Sequence, residues 1–458
     1  MDAPRPAPAR LPIALVAVAL AVVAVAVVAL GGALRAGNPA RDASTGRLAV
    51  VDTAGGLSVV DGSGRRIVAL GPPGVAFEFP AWSPDGTRVA AVGSGPDGGA
   101  VYVFTVGAPG TEPGTAEAAG ADPAILYADP DRPPFYLSWS PDGRRITFLT
   151  TEADGIALRV APADAASPAV VVREGAPLYW DWAGPERLLL HVGADQPDAF
   201  VGEVGFDGAS LEPSAIDVGL FRSPAVTRDG LRRAYVAPVT GTGQALVVES
   251  RDASGRHEIP APGNVAFGFD AAGSSLAFIA GRDERAPPAL LPIGPLRLAD
   301  PRSGAVRTIL DDLVVGFFWS PDGRTIAALA VLDPDDPDID EARGGAGIEL
   351  TAHRPATDER QTRPAVSDPG VLLHLAFVDT LTGRIRSERD IRVSNTFAFQ
   401  VLPYFDQYAL SHRSWSADSR TLALPIATSD SGDRLSALPA DGSDPTPIGD
   451  AATGFWSP

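Results

Sequence analysis

Trp82-Ser83-Pro84-Asp85-Gly86, Trp139-Ser140-Pro141-Asp142-Gly143 and Trp319-Ser320-Pro321-Asp322-Gly323 are three copies of one pentad, each followed by a basic or polar residue and an apolar run. Proline presets φ and glycine accepts a positive φ, so each copy reverses the chain sharply between two strands. Weaker copies are anchored on Trp182, Val226, Phe269 and Trp415, and the sequence ends inside an eighth at Trp456-Ser457-Pro458. Self-similarity at such spacing marks one supersecondary unit, repeated in a stack or a ring.

The residues between two anchors define that unit. Arg145-Ile146-Thr147-Phe148-Leu149 leaves the second pentad, strand-like runs follow at 156–160 and 169–172, and 178–182 reaches the next anchor. This reads as a four-stranded antiparallel blade, so the spacing predicts an all-β fold: a single closed β-propeller. The anchors at 82, 139, 182, 226, 269, 319, 415 and 456 predict eight blades, or seven if one degenerate copy is not a blade. The last residues form a strand and half a turn, and 46–51 reads as the strand that should follow such a turn. The C-terminal strand is therefore expected to close the ring and remove the open sheet edges.

Composition narrows the chemistry. Forty-nine Gly and 44 Pro suit a chain of strands and turns and leave little for helix. The 37 basic residues are all Arg and there is no Cys, which excludes a Schiff-base lysine, a thiol nucleophile, a disulfide and a thiolate metal site. A net charge of −19 without a basic stripe argues against nucleic-acid binding.

Residues 11–34 carry no charge, follow Arg5 and Arg10, and are long enough to span a bilayer. The expected organisation is a cytoplasmic N-terminus (1–10), a transmembrane signal-anchor helix (11–34), a linker (35–45) and the propeller (46–458) outside the cytoplasm. Cleavage near Gly31-Gly32-Ala33, giving a secreted or periplasmic protein, is the alternative.

The Trp-Ser-Pro-Asp-Gly phrase, followed by a strand, resembles the WD40-like propeller repeat of the TolB family of bacterial envelope proteins. The same repeat occurs in the propeller domains of prolyl-oligopeptidase-type peptidases. The resemblance covers about residues 46–458 and implies an extracytoplasmic scaffold that binds protein partners in the cell envelope. TolB-like proteins carry a separate N-terminal α/β domain and fewer blades, so their specific partners do not transfer. The peptidases need a hydrolase domain, and no Gly-x-Ser-x-Gly elbow occurs in this sequence. A non-enzymatic role without cofactor is expected, and the rival reading is a propeller enzyme or sensor that binds a small molecule or sugar in its central channel.

The candidate residues follow from spacing. Asp85, Asp142 and Asp322 fall in turns, where a carboxylate accepts hydrogen bonds from nearby backbone N–H groups. His191, His257, His353, His374 and His412 show no metal-ligand spacing. Asp336, Asp338 and Asp340 alternate like a calcium loop, but Glu341 and Gly347 stand where such a loop needs Gly and Glu, so a solvated acidic loop is expected. The longest interval, 319 to 415, holds two insertions in one blade, 333–370 and 393–411, which blade topology puts on one rim. The second is rich in rings, and Tyr404, Phe405, Asp406, Tyr408 and His412, with the three alternating aspartates, form the candidate partner-binding rim. The same rings could instead plug the channel of a wide ring.

Overall fold

The computed structural model describes residues 46–108, 122–193, 198–212, 215–239, 243–252, 254–281, 292–332, 370–428 and 432–458. The run at 11–34, His353, most of the first insertion, and with it Asp336, Asp338 and Asp340, lie outside the described residues. Among the described residues no helix is long and apolar enough to cross a membrane.

Antiparallel sheets are the main regular structure of the described residues in the Gly46–Pro458 unit. Four sheets have four strands each, and their first strands are Thr453–Trp456, Ala76–Trp82, Pro134–Trp139 and Ala225–Val226. A fifth, starting at Leu178–Gly184, has three strands. The remaining ten strands are hydrogen-bonded in series from Val265–Phe269 to Thr446–Asp450. Two joints make that series continuous. Val306–Trp319 pairs with Gly294–Ala299 through one half and with Thr325–Ala330 through the other, and a single pair, Val393↔Ile426, bridges the next gap.

The pentad turns follow one wiring scheme. Ser83 Oγ donates to Asp85 (2.6 Å) and accepts from Arg88 N–H (3.0 Å), while Asp85 also accepts from Thr87 N–H (3.0 Å). Ser140 and Asp142, Ser320 and Asp322, and Ser416 and Asp418 repeat it. The aspartates are thus turn residues, as their spacing implies. Gly86, Gly143 and Gly323 sit at φ of +68°, +69° and +68°. Ser419 occupies the same place at +61°, and its hydroxyl accepts Asp322 N–H from the neighbouring turn (3.0 Å), a contact glycine could not make.

Anchor tryptophans tie one repeat to the next. The indole N–H of Trp139 donates to Ala81 O, Trp319 to Gly268 O, Trp415 to Phe318 O and Trp82 to Phe455 O, each at 3.0 Å. Every acceptor is the residue just before the preceding anchor. In the other direction Arg88 lies over the Trp139 ring (4.8 Å) and donates to Gly143 O (2.7 Å). Arg47 does the same over Trp82 (5.0 Å) with Gly86 O (2.6 Å). Each clamp joins a charge-assisted hydrogen bond to a cation–π contact.

The two chain ends share one sheet. Thr453–Trp456 pairs antiparallel with Arg47–Val51, Leu48 opposite Trp456. Ser457 N–H donates to Arg47 O (2.7 Å), the bond that Ser83 makes to Arg88 O within a continuous repeat (2.9 Å). Arg47 therefore stands to Trp456 as Arg88 stands to Trp82, although the sequence separates them by almost the whole chain.

Candidate functional site

The second insertion is the helical part of the described chain. It runs as a π-turn (Phe397–Val401), a 3₁₀ turn (Leu402–Tyr404) and a short α-helix, α1 (Phe405–Ser411). Pro403 is tolerated because it stands at the start of a turn, where its missing N–H would have no partner.

This segment lies among the first strands of the sheets. The Phe405 ring is 5.1 Å from Phe317 and 6.1 Å from Phe318, and Tyr408 packs on Phe79 (6.0 Å) and edge-on to Tyr136 (5.3 Å). His412 meets Phe455 at 4.7 Å, and α1 also packs on Val265–Phe269. Gln407 is the polar hub. Its amide nitrogen donates to Trp180 O (3.0 Å) and Tyr136 Oη (3.1 Å), and its carbonyl oxygen accepts from Trp180 N–H (3.2 Å) and Ser223 Oγ (3.3 Å). Tyr136 Oη lies 2.7 Å from both Gln407 O and Ser411 Oγ.

The surrounding strands are shaped for this occupant. A Cβ on Gly316 would stand 2.6 Å from Leu402 Cδ1, so any larger residue there forces Leu402 to shift. Phe79 and Tyr136, which both face Tyr408, hold φ of +53° and +48° at bulges where the register of their strands shifts. Bulky residues rarely adopt that region, at about 1–3 kcal/mol each, so the packing against Tyr408 offsets local strain.

Burial assigns the sequence-derived residues to two groups. Phe405, Asp406, Tyr408 and His412 are 2%, 9%, 7% and 4% exposed and spend their side chains on contacts inside the chain. They are lining, and a surface-contact role does not fit their burial. Tyr404 is 46% exposed, joined by Phe399, another ring of the same insertion, at 58%. Val371, just after the first insertion, pairs with Val393 at the start of the second.

Electrostatics inside the segment favour neutral groups. Burial pushes the Asp181 carboxyl up to about 7 against hydrogen bonds from Val226 and Trp182 N–H, and Asp406 up to about 6 against Gln407 N–H and the charge of Arg222. Burial also pulls His412 and His191 down to about 4, so both imidazoles are neutral at pH 7. His191 Nδ1 is 3.0 Å from Arg222 O. His257 bonds Arg302 O (2.8 Å), and His374 lies beside Asp390 (2.8 Å), so these rings stand in separate places. Among the described residues, no three His, Asp or Glu side chains are grouped to hold a metal ion.

No family model matches the chain, and no curated protein matches it. Solved structures do match. AztD of Citrobacter koseri is 16% identical over 89% of this chain and 96% of its own, with a TM-score of 0.51. A eukaryotic initiation factor is 12% identical over 90% and 98%, at 0.49. A putative TolB of Agrobacterium tumefaciens is 19% identical over 60% and 94%, at 0.36. Identities this low speak to fold alone, and the fold is that of β-propeller structures.

Proposed function

We propose that the chain is an eight-bladed propeller, closed by Thr453–Trp456 and held at a membrane surface outside the cytoplasm by residues 11–34, that works as a non-catalytic protein-binding module. Eight anchors define eight first strands on this reading, and the ten-stranded series is two blades plus most of a third. The observation that carries the functional reading is the filling of the space between the first strands by 397–411, with Phe399 and Tyr404 left on the outside. A channel enzyme needs an open approach to converging polar groups, whereas here rings and an amide hub occupy that end. Exposed aromatic side chains on a rigidly seated element are the usual anchors of a protein interface. The tight pentad turns and the two insertions belong to opposite rims of a blade, so binding is assigned to the insertion rim.

The test is photo-crosslinking in intact membranes, with a photoreactive residue at 399 or 404 and a control at Leu381, which is 86% exposed in a turn between outer strands. The reading expects one discrete protein adduct from 399 and 404 and none from 381. Equal labelling at all three positions, or no adduct at either rim position, would contradict it.

A further inference from the structure

The turn after Trp182 departs from the wiring of its neighbours. Trp139 pairs with Ile146, seven positions on, but Trp182 pairs with Leu188, six on, so this turn is one residue shorter. The clamp is altered with it. Arg145 still reaches a turn carbonyl, Pro185 O (3.2 Å), but lies over the Phe206 ring (5.0 Å) and not over Trp182. The Trp182 indole N–H is buried with no acceptor among the described residues, and Ser138 O, the carbonyl just before the preceding anchor, accepts the Thr147 hydroxyl instead (3.2 Å). Arg187, just before Leu188, stands where Arg88 and Arg145 stand before Val89 and Ile146. The next anchor is Val226, which offers no ring, and the carbonyl of the turn glycine that follows it, Gly230 O, accepts from Arg251 (3.3 Å). Arg187 is thereby released from a clamp: its side chain is 49% exposed and approaches only Glu203, at 3.9 Å.

These departures coincide with a cavity of about 1160 Å³, lined by the turns after Trp139 and Trp182 and by Pro162, Ala163 and Asp164. Five arginines line it against three carboxylates, in a chain whose net charge is −19. Arg251 holds Ala183 O (3.3 Å) and Arg145 holds Pro185 O, so two guanidinium groups flank one short turn, and Arg187 stands at its end. Arg144 is exposed, and its side chain makes no hydrogen bond or ion pair among the described residues. Two of the carboxylates are already engaged, Asp142 with Ser140 Oγ and Arg144 N–H and Asp164 with Ala166 N–H (3.1 Å). Glu186, 73% exposed, is the third and lies 3.4 Å from Arg145. An excess of guanidinium groups around a cavity open to solvent suits a multiply charged oxyanion, because each planar fork can donate two parallel hydrogen bonds to it. The volume exceeds what a bare ion needs, since cavities of about 300–1,000 Å³ hold whole small molecules.

We propose that this cavity binds a phosphate monoester, with Arg144, Arg145 and Arg187 supplying the donors to the phosphate and Pro162 and Ala163 facing its organic body. Glu186 occupies Arg145 when the ligand is absent and is displaced by it. The site is lined by pentad turns and needs neither insertion, so it is independent of the protein-binding reading.

Calorimetric titration of the whole chain at pH 7 with glycerol 3-phosphate and with dihexanoyl phosphatidic acid tests this, the first a soluble ester and the second a lipid headgroup of the same chemistry. Saturable binding of at least one is expected, and the tighter of the two identifies the source. Arg187→Gln should weaken it by about tenfold, the loss of one charge-assisted contact, with an unchanged melting temperature. Glu186→Gln removes the internal competitor and should tighten it by about threefold. Arg420→Gln alters an exposed arginine that holds the place of Arg144 in another turn, its N–H on Asp418, and should leave binding unchanged. No saturable binding of either ester at millimolar concentration, or binding that Arg187→Gln weakens no more than Arg420→Gln does, would overturn the proposal.

Discussion

Arg88 shows how single side chains join the sheets, reaching from its own strand to the next anchor ring and the next turn carbonyl. Arg88→Ala removes a hydrogen bond and a cation–π contact, and urea unfolding should show a loss of about 1–2 kcal/mol. Arg144→Ala, at the exposed position just before Arg145, the counterpart of Arg88 in the next repeat, should stay within about 0.5 kcal/mol. Carboxylates split by environment. In Asp85, Asp142 and Asp322 burial opposes ionisation, but serine hydroxyl and backbone N–H donors outweigh it and hold each below the usual range. Their contribution is present above the unfolded value near 4 and is lost as pH falls through the lower folded values. Asp181 and Asp406 have the opposite sign, raised to about 7 and about 6, so their contribution is complete below pH ~4 and is lost as pH rises through those folded values. Charged and titratable groups facing Asp406 are Arg222, Tyr179 and Tyr136. His412 and His191, pulled down to about 4, act in the opposite sense below about pH 6.5, so the readout is the difference between variants. Relative to the unsubstituted chain, Asp406→Asn should remove a loss of melting temperature as pH rises through about 6, and identical pH profiles would place the titrating group elsewhere.

At the scale of elements, the 397–411 segment is where sequence and structure part most. Its density of rings was legible, and so were the two alternatives for them. Its helical course was not, because residues buried on several sides show no single apolar stripe, and Pro403 reads as a breaker unless its place at a turn start is known. Nor does spacing disclose Gln407, a polar residue whose four side-chain hydrogen bonds reach three residues, Trp180, Tyr136 and Ser223, far apart in sequence. The seat of the segment can be tested at one contact. Gly316→Ala sets a Cβ against Leu402 and should lower stability by about 1–3 kcal/mol. Adding Leu402→Ala removes the clash, so a double-mutant cycle should show coupling of about 0.5 kcal/mol or more. Additive losses would mean that the two residues do not touch in solution.

For the whole molecule, the pentads made the repeat, the four-stranded sheets and the pairing of chain ends readable, because turn chemistry is local and the same wiring recurs at each copy. The arginine clamps were hidden, since spacing shows that Arg88 and Arg145 recur but not that such a residue crosses to the next repeat. Deleting residues 453–458 takes away the partner of Arg47–Val51 and the acceptor of Trp82, and should cause aggregation or a large drop in melting temperature. The central claim is that 397–411 is a fixed part of the core between the first strands, leaving only its outer face for partners. Hydrogen exchange at pH 7, resolved to the amides of Ala398 and His412, tests it most directly, since these donate to Ser394 O (2.9 Å) and Tyr408 O (2.8 Å) at the two ends of the segment. The account predicts protection comparable to that of the first strands, lost only when they also open. Exchange of both amides within seconds, while the strands stay protected, would contradict it.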